Sequence, residues 1–236
     1  MQDYRYKGHE LETFAHATNW KSYLRATIAP YVVGDVLEVG AGIGSATSAF
    51  CSGAQRSWLC LEPDAELANT LRQNVSALPS AVRPEVVVGV LDALPLTRLF
   101  DAILYVDVLE HIDDDRAELQ RAAARLRPGG TIVVISPAHQ QLYSEFDRRI
   151  GHFRRYTRAM YEAITPPGTT LEVTRYLDSL GMLLSGANRL LLRSGQPSRT
   201  QVRIWDRMFV TASRYVDPVL AWRVGKTIVG VWRKQP

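Results

Sequence analysis

The chain has little cysteine: Cys51 and Cys60 are the only two in 236 residues. Two thiols cannot build a disulfide framework or a cysteine zinc cluster, so a reduced, cytoplasmic protein is expected. A long apolar run is also missing. The uncharged stretch at residues 128–144, as long as any in the chain, is broken by Gly129, Gly130, Pro137, His139 and two glutamines, so it does not read as a membrane helix of ~20 residues. Met1-Gln2-Asp3-Tyr4-Arg5 shows no basic segment leading into an apolar one, and no secretory signal is read there. The chain is 46% hydrophobic with a net charge of only +4, which excludes disorder. The one acidic run, Asp113-Asp114-Asp115, opens a helix, where carboxylates cap amides. No other cluster has metal-ligand spacing, and a metal-free site is expected. No repeat or low-complexity segment is found.

The charge that is present is unevenly distributed. Residues 189–236 carry ten Arg and Lys against Asp206 and Asp217, a net +8, whereas residues 1–188 carry a net −4. Such a basic end is either a solvated helix face or a surface for phosphate, anionic lipid or an acidic substrate. It lacks a recognisable RNA-binding motif, and a pI near 9.2 alone does not argue for nucleic acid.

Hydrophobic periodicity organises the rest. Residues 9–30 repeat Leu11, Phe14, Trp20, Tyr23, Leu24 and Ile28 at helical spacing and stop at Pro30. Short apolar runs then alternate with helical patterns: strands at 36–39, 57–61, 84–90, 100–106 and 131–136, and helices at 45–52, 64–78 and 113–126. That alternation predicts an α/β fold with a doubly wound, mainly parallel seven-stranded sheet. Residues 137–156 read as a polar and aromatic loop, 157–164 as a helix and 169–176 as a strand. Residues 181–217 are amphipathic, with Ile204, Met208, Ala212 and Tyr215 at helical spacing, and 227–232 is the last strand. The implied plan is a single domain: an N-terminal helical cover (1–31), a core (32–137), a substrate-side loop, helix and strand (138–177), an inserted helical lid (178–218) and a final strand (219–236).

The segment Val36-Leu37-Glu38-Val39-Gly40-Ala41-Gly42-Ile43-Gly44-Ser45 joins a strand to a helix at the carboxyl edge of the sheet, where open parallel sheets bind ligands. A dinucleotide fingerprint would place its third glycine at position 45; here that residue is Ser and the glycine comes early, at 44. Glu38 is moreover a poor neighbour for pyrophosphate, but it suits a ligand with an ammonium group. S-adenosylmethionine has an ammonium, a sulfonium and no phosphate, and the pattern favours it. Glu62, ending the second strand 22 positions after Gly40, suits the ribose hydroxyls. Asp92, after the third strand, suits the adenine amine, with the Ala93 amide addressing the ring.

Residues 32 to about 137 resemble the class I S-adenosylmethionine-dependent methyltransferases. The motifs are Val36–Ser45, Leu61-Glu62-Pro63, Leu91-Asp92-Ala93-Leu94-Pro95, the fourth-strand segment Phe100 to His111 with Val106 and Asp107, and Leu126-Arg127-Pro128-Gly129-Gly130-Thr131. The stretch from Gln141 to Thr157 is similar to a bacterial small-molecule subgroup. The resemblance implies a Rossmann-like fold and a cofactor site formed by Glu38, Gly40, Ala41, Gly42, Gly44, Glu62, Pro63, Leu91, Asp92, Ala93, Val106 and Asp107.

Methyl transfer from a sulfonium is an in-line displacement, and positioning can supply ~7 kcal/mol or more. A base is needed only where the acceptor must lose a proton. His111, His139 and His152, with Asp147, are the candidates, because they follow strands four and five or sit in the lid loop. Each has a plainer alternative: His111 as part of the cofactor shell, His139 as a loop hydrogen bonder, and Asp147 as the partner of Arg154 or Arg155 in a salt-bridged loop. Tyr6, Trp20, Tyr143, Arg154 and Tyr156 are candidates for acceptor binding, with Tyr4 and Asn19 further cover residues. The expected reaction is methylation of a small organic acceptor in specialised metabolism. The alternatives are a lipid or lipid-linked sugar acceptor at a membrane reached through the basic C-terminal region, and a non-catalytic cofactor-binding module.

Overall fold

Alternating burial along each central strand sets the architecture. In β1 (Asp35–Val39), Val36 belongs to one apolar cluster while Leu37 and Val39 belong to the other, and β4 (Phe100–Val106) and β5 (Leu126–Pro137) divide their residues likewise. A sheet buried on both faces needs a helical layer on each. The computed structural model, which describes residues 5–6, 8, 10–78, 83–184 and 198–236, has both layers. One face packs against α2 (Thr18–Ile28), α3 (Ser45–Phe50) and α4 (Ala65–Ser76). The other packs against α5 (Asp115–Ala124) and α7 (Arg158–Ala163). Among the described residues no helix is long and apolar enough to cross a membrane.

The seven strands run in the order β3-β2-β1-β4-β5-β7-β6, with β2 at Ser57–Glu62, β3 at Glu85–Val88, β6 at Thr169–Leu177 and β7 at Thr227–Lys234. β1 to β5 pair in parallel, but β7 is antiparallel to both β5 and β6, so the sheet is mixed. The register gives the reason. Leu177 ends β6 opposite Thr227, where β7 begins. The chain therefore re-enters the sheet at the edge it left, and only a crossover to the opposite edge would have made β7 parallel.

Three further expectations are revised. The N-terminal pattern is two helices, α1 (Glu10–Ala15) and α2, separated by a short break. The loop read at 137–156 contains α6 (Glu145–Ile150), started by a Ser144–Asp147 capping box and closed by Gly151 with φ 90°. Finally, the helical arm Arg199–Ile204, Trp205–Val210 (a π-helical stretch) and Thr211–Val219 turns its other side inward. Its buried residues are Val202, Trp205, Asp206, Val210, Ser213 and Asp217, whereas Ile204, Met208 and Tyr215 are exposed.

Candidate active site

The carboxyl ends of β1 to β6 share one edge, and the chemistry-bearing residues collect along it. After β1, Gly40, Gly42 and Gly44 have φ of 68°, 56° and 79°, a region where L-side chains are strained. A Cβ on Gly40 would lie 2.7 Å from Val108, and one on Gly44 would lie 2.5 Å from Leu71. At Gly42 the nearest atom would be on Leu11, at 3.6 Å. Packing thus demands the outer two glycines, while the middle one needs only its backbone conformation and leaves an open face. The Gly42 N–H donates to Glu62 Oε2 (2.7 Å) and the Asp64 N–H to Glu62 Oε1 (3.0 Å), with Pro63 between. Each carboxylate oxygen keeps acceptor capacity beyond one N–H, so Glu62 fits a ribose diol. Ala41 is buried, its N–H bonded to the Leu61 carbonyl. Above this loop Tyr6 donates its backbone N–H to Asp64 and sets its ring edge-on to His111, at 5.8 Å. Tyr4 lies outside the described residues.

Two details differ from expectation. Glu38 is not presented to a ligand: it is buried beneath the loop, where its Oε2 accepts from Trp58 Nε1 (2.9 Å) and Thr47 Oγ1 (2.7 Å). Period-two alternation turns it toward α3 and β2, and burial pushes its carboxyl up to about 7. The Ala93 amide is engaged within its own turn by the Val90 carbonyl. Asp92 itself is exposed at the edge, with Leu91 buried behind it.

Beyond β4, β5 and β6 stand Asp107 (φ 53°), His139 (φ 66°) and Asp178 (φ 64°), non-glycine residues in left-handed conformations. Strain of this kind, on the order of 1–3 kcal/mol each, concentrates at functional sites. Between them lies a polar cluster. His152 Nδ1 bonds Asp147 Oδ1 at 3.0 Å, and its ring meets His111 edge-on at 4.5 Å. Its Nε2 faces Glu110 Oε1 at 3.9 Å. Glu110 is fully buried; its Oε2 accepts from Ser136 (3.0 Å), but its Oε1 has no hydrogen-bond partner. Burial and the neighbouring Asp107 charge hold the Glu110 carboxyl well above its usual range. Burial, with a contribution from His152, lowers His111 to about 4, so that it is an uncharged imidazole at neutral pH. His139 stacks on Tyr176 at 4.8 Å, and its buried Nε2 is also unpartnered.

Several candidates turn out to brace the site. Asp147 is fully buried, with Ser144, His152 and Arg155 (2.9 Å through both Nε and Nη2) on its oxygens. Those donors, against the pull of burial, hold its carboxyl far below the usual range, so it orients His152 rather than acting as a base. Tyr156 is fully buried and donates to Asp115 (2.7 Å). Arg154 is spent on the Ile112 and Asp113 carbonyls and on Asp115, and Tyr143 donates to the His152 carbonyl. Trp20 packs against Trp205 and Tyr23. Tyr143, Arg154 and Tyr156 thus commit their polar groups to the protein itself. The sequence reading missed Glu110 and Lys226, which sits 3.3 Å from Asp178 and 4.0 Å over the Trp205 ring. A glutamate beside His111 at a strand end was the available signal for Glu110. Lys226 precedes β7, so its place at the edge follows from that strand's reversed direction.

A sequence profile of a methyltransferase-domain family matches residues 37–132. No curated protein matches the chain in sequence. Among solved structures, a methyltransferase in complex with the Trm112 activator from Haloferax volcanii superposes with a TM-score of 0.65 at 17% identity, covering 98% of this chain and 93% of that one. Coclaurine N-methyltransferase bound to N-methylheliamine and S-adenosylhomocysteine gives 0.62 at 10% identity, covering 91% and 72%. The N-methyltransferase NodS from Bradyrhizobium japonicum, also with S-adenosylhomocysteine, gives 0.57 at 14%, covering 91% and 85%. Residues 37–132 thus match a methyltransferase-domain family, within a chain that folds as these solved methyltransferases do.

Proposed function

We propose that the protein is an S-adenosylmethionine-dependent methyltransferase that methylates a small organic acceptor bearing an N–H or O–H group, in specialised-metabolite biosynthesis, with the acceptor held between the carboxyl ends of β4 and β5. The unpartnered Oε1 of Glu110 carries this reading. Buried polar atoms seldom lack partners, and one set beside two histidines suits a polar group of a small molecule taken into the interior. The bound cofactor supplies an electrophilic methyl group. The protein positions the acceptor and removes water, and neutral His111 accepts the proton, while Asp147 fixes the tautomer and orientation of His152 behind it. The structural neighbour bound to N-methylheliamine, a small organic molecule, supports this reading.

The test supplies methyl-labelled S-adenosylmethionine and an extract of the producing cells to the purified enzyme. Label in an organic-soluble small molecule is the expected outcome, and His111→Gln should lower the rate by a factor of 10² or more, in the range for a lost general base, with cofactor affinity retained. Label in phospholipid would point to the lipid acceptor, and label in the macromolecular pellet would overturn both. Cofactor binding without transfer to any component would indicate a binding module.

A further inference from the structure

The helical arm presents its apolar stripe to the outside. Ile204, Met208, Tyr215 and Val219 are 46%, 64%, 77% and 85% exposed, and Leu220 and Val224 continue the surface. Eight of the fourteen large exposed hydrophobics among the described residues fall within residues 183–224, so the pattern is local rather than the ordinary scatter of single apolar residues. A second stripe flanks the first. Arg203 and Arg207 lie beside Ile204 and Met208 on the exposed side, with Arg199 and Arg223 nearby, whereas Arg214 turns over the Tyr23 ring. Arg203, Arg207 and Arg223 are exposed.

The acids complete the pattern by their placement. Asp206 and Asp217 are the only carboxylates from residue 198 to the C-terminus. Both are buried, at 4% and 0%, and both face inward, Asp206 to Asn19 and Trp20 and Asp217 to Tyr23, Asp178 and Ser179. The outer side of the arm therefore has apolar and cationic character, and its own acids leave that charge unbalanced; only Arg199 meets a carboxylate from elsewhere, Glu12 of α1, at 3.6 Å. We infer that this face docks the enzyme on an anionic lipid surface, with Ile204, Met208, Tyr215 and Val219 entering the interface and the arginine row meeting the headgroups. A two-fold contact with a second copy fits less well, because an isologous interface brings the same cationic patch against itself. None of the side chains on this outward face belongs to the acceptor site, so the two proposals are tested separately.

The test is sedimentation of the full chain with phosphatidylcholine vesicles, with and without 30% phosphatidylglycerol, at 0.15 M salt, alongside its mass in solution. Binding to the anionic vesicles only is expected, weakening as 0.5 M salt shortens electrostatic reach. Each arginine near the surface is worth about fivefold, so Arg203→Gln with Arg207→Gln should weaken binding about 25-fold. Met208→Glu with Tyr215→Glu should abolish it, and both double variants should bind S-adenosylmethionine as the wild type does, which shows that they are folded. The inference is overturned if neither vesicle type pellets the protein, if the variants pellet unchanged, or if the chain is a dimer that Met208→Glu dissociates.

Discussion

Gly42 and Gly44 share a left-handed backbone but are glycine for different reasons, and substitution separates them. Alanine at either position meets conformational strain of about 1–2 kcal/mol. At Gly44 the new methyl also strikes Leu71, adding an overpacking cost on the order of 1–3 kcal/mol. Gly44→Ala should therefore lower the urea midpoint clearly more than Gly42→Ala, whereas Gly42→Ala should act mainly on cofactor affinity measured by calorimetry. Glu62→Ala removes the acceptor for both the Gly42 and Asp64 amides and should weaken S-adenosylmethionine binding at least tenfold, about 1.4 kcal/mol. An affinity within twofold of wild type would refute the cofactor map drawn here. The residues on this loop were legible because glycine spacing and a strand-terminal acid carry their geometry in the chain order. Tyr156 and Arg154 were not, because polarity in a sequence does not reveal which way a side chain turns: here both turn to Asp115.

Whole elements show the same limit at longer range. The residue before α2 is Ala17, which has no side chain with which to cap a helix. The missing cap comes from far downstream: Asp206, 187 positions after Asn19, accepts from the Asn19 N–H (3.2 Å) and side chain (3.0 Å), and from the Trp20 N–H (2.8 Å). These are the second and third helical amides, which an ordinary N-cap would satisfy, and the carboxylate also sits at the positive end of the helix dipole. Asp206→Ala should cost roughly 2 kcal/mol, the upper end for a lost cap, and should raise amide exchange at the start of α2. Asn19→Ala should then cost much less in the Asp206→Ala background than alone; equal costs in the two backgrounds would show that the contact does not hold the cover down. Periodicity did reveal that the arm is an amphipathic helix, but it favoured the wrong face. A row of Ile, Met and Tyr looks like a core stripe until the opposite row is seen to hold Trp205 and two aspartates, each buried and hydrogen-bonded. The strand and helix alternation, by contrast, survived almost intact up to β6, because each element in that stretch buries its own local pattern. It gave no direction for β7, which depends on where the chain returns.

At the scale of the molecule, the buried ionisable groups oppose one another in their response to pH. Glu38 titrates at about 7 in the folded chain against an ordinary 4.5. Between those values the folded state holds more protons than the unfolded state, so this residue favours folding at the acid end and loses about 3 kcal/mol of that support as pH rises through the window. His111 titrates at about 4 against 6.5. Here the unfolded state holds more protons, so a contribution of about 3 kcal/mol is present above pH 6.5 and is lost as pH falls toward 4. Burial shifts Glu62 and Glu110 in the same direction as Glu38, and His139 in that of His111, so the wild-type profile is a sum that conceals its parts. Variants isolate them. Glu38→Gln keeps an acceptor for Trp58 and Thr47 and removes the ionisation, so its stability relative to wild type should climb from pH 4.5 to 7. His111→Gln should show the reverse, gaining on wild type as pH falls from 6.5 to 4. Urea midpoints taken at half-unit steps across this range test both slopes, and variant curves running parallel to the wild type would mean that neither group is desolvated in solution as its burial requires.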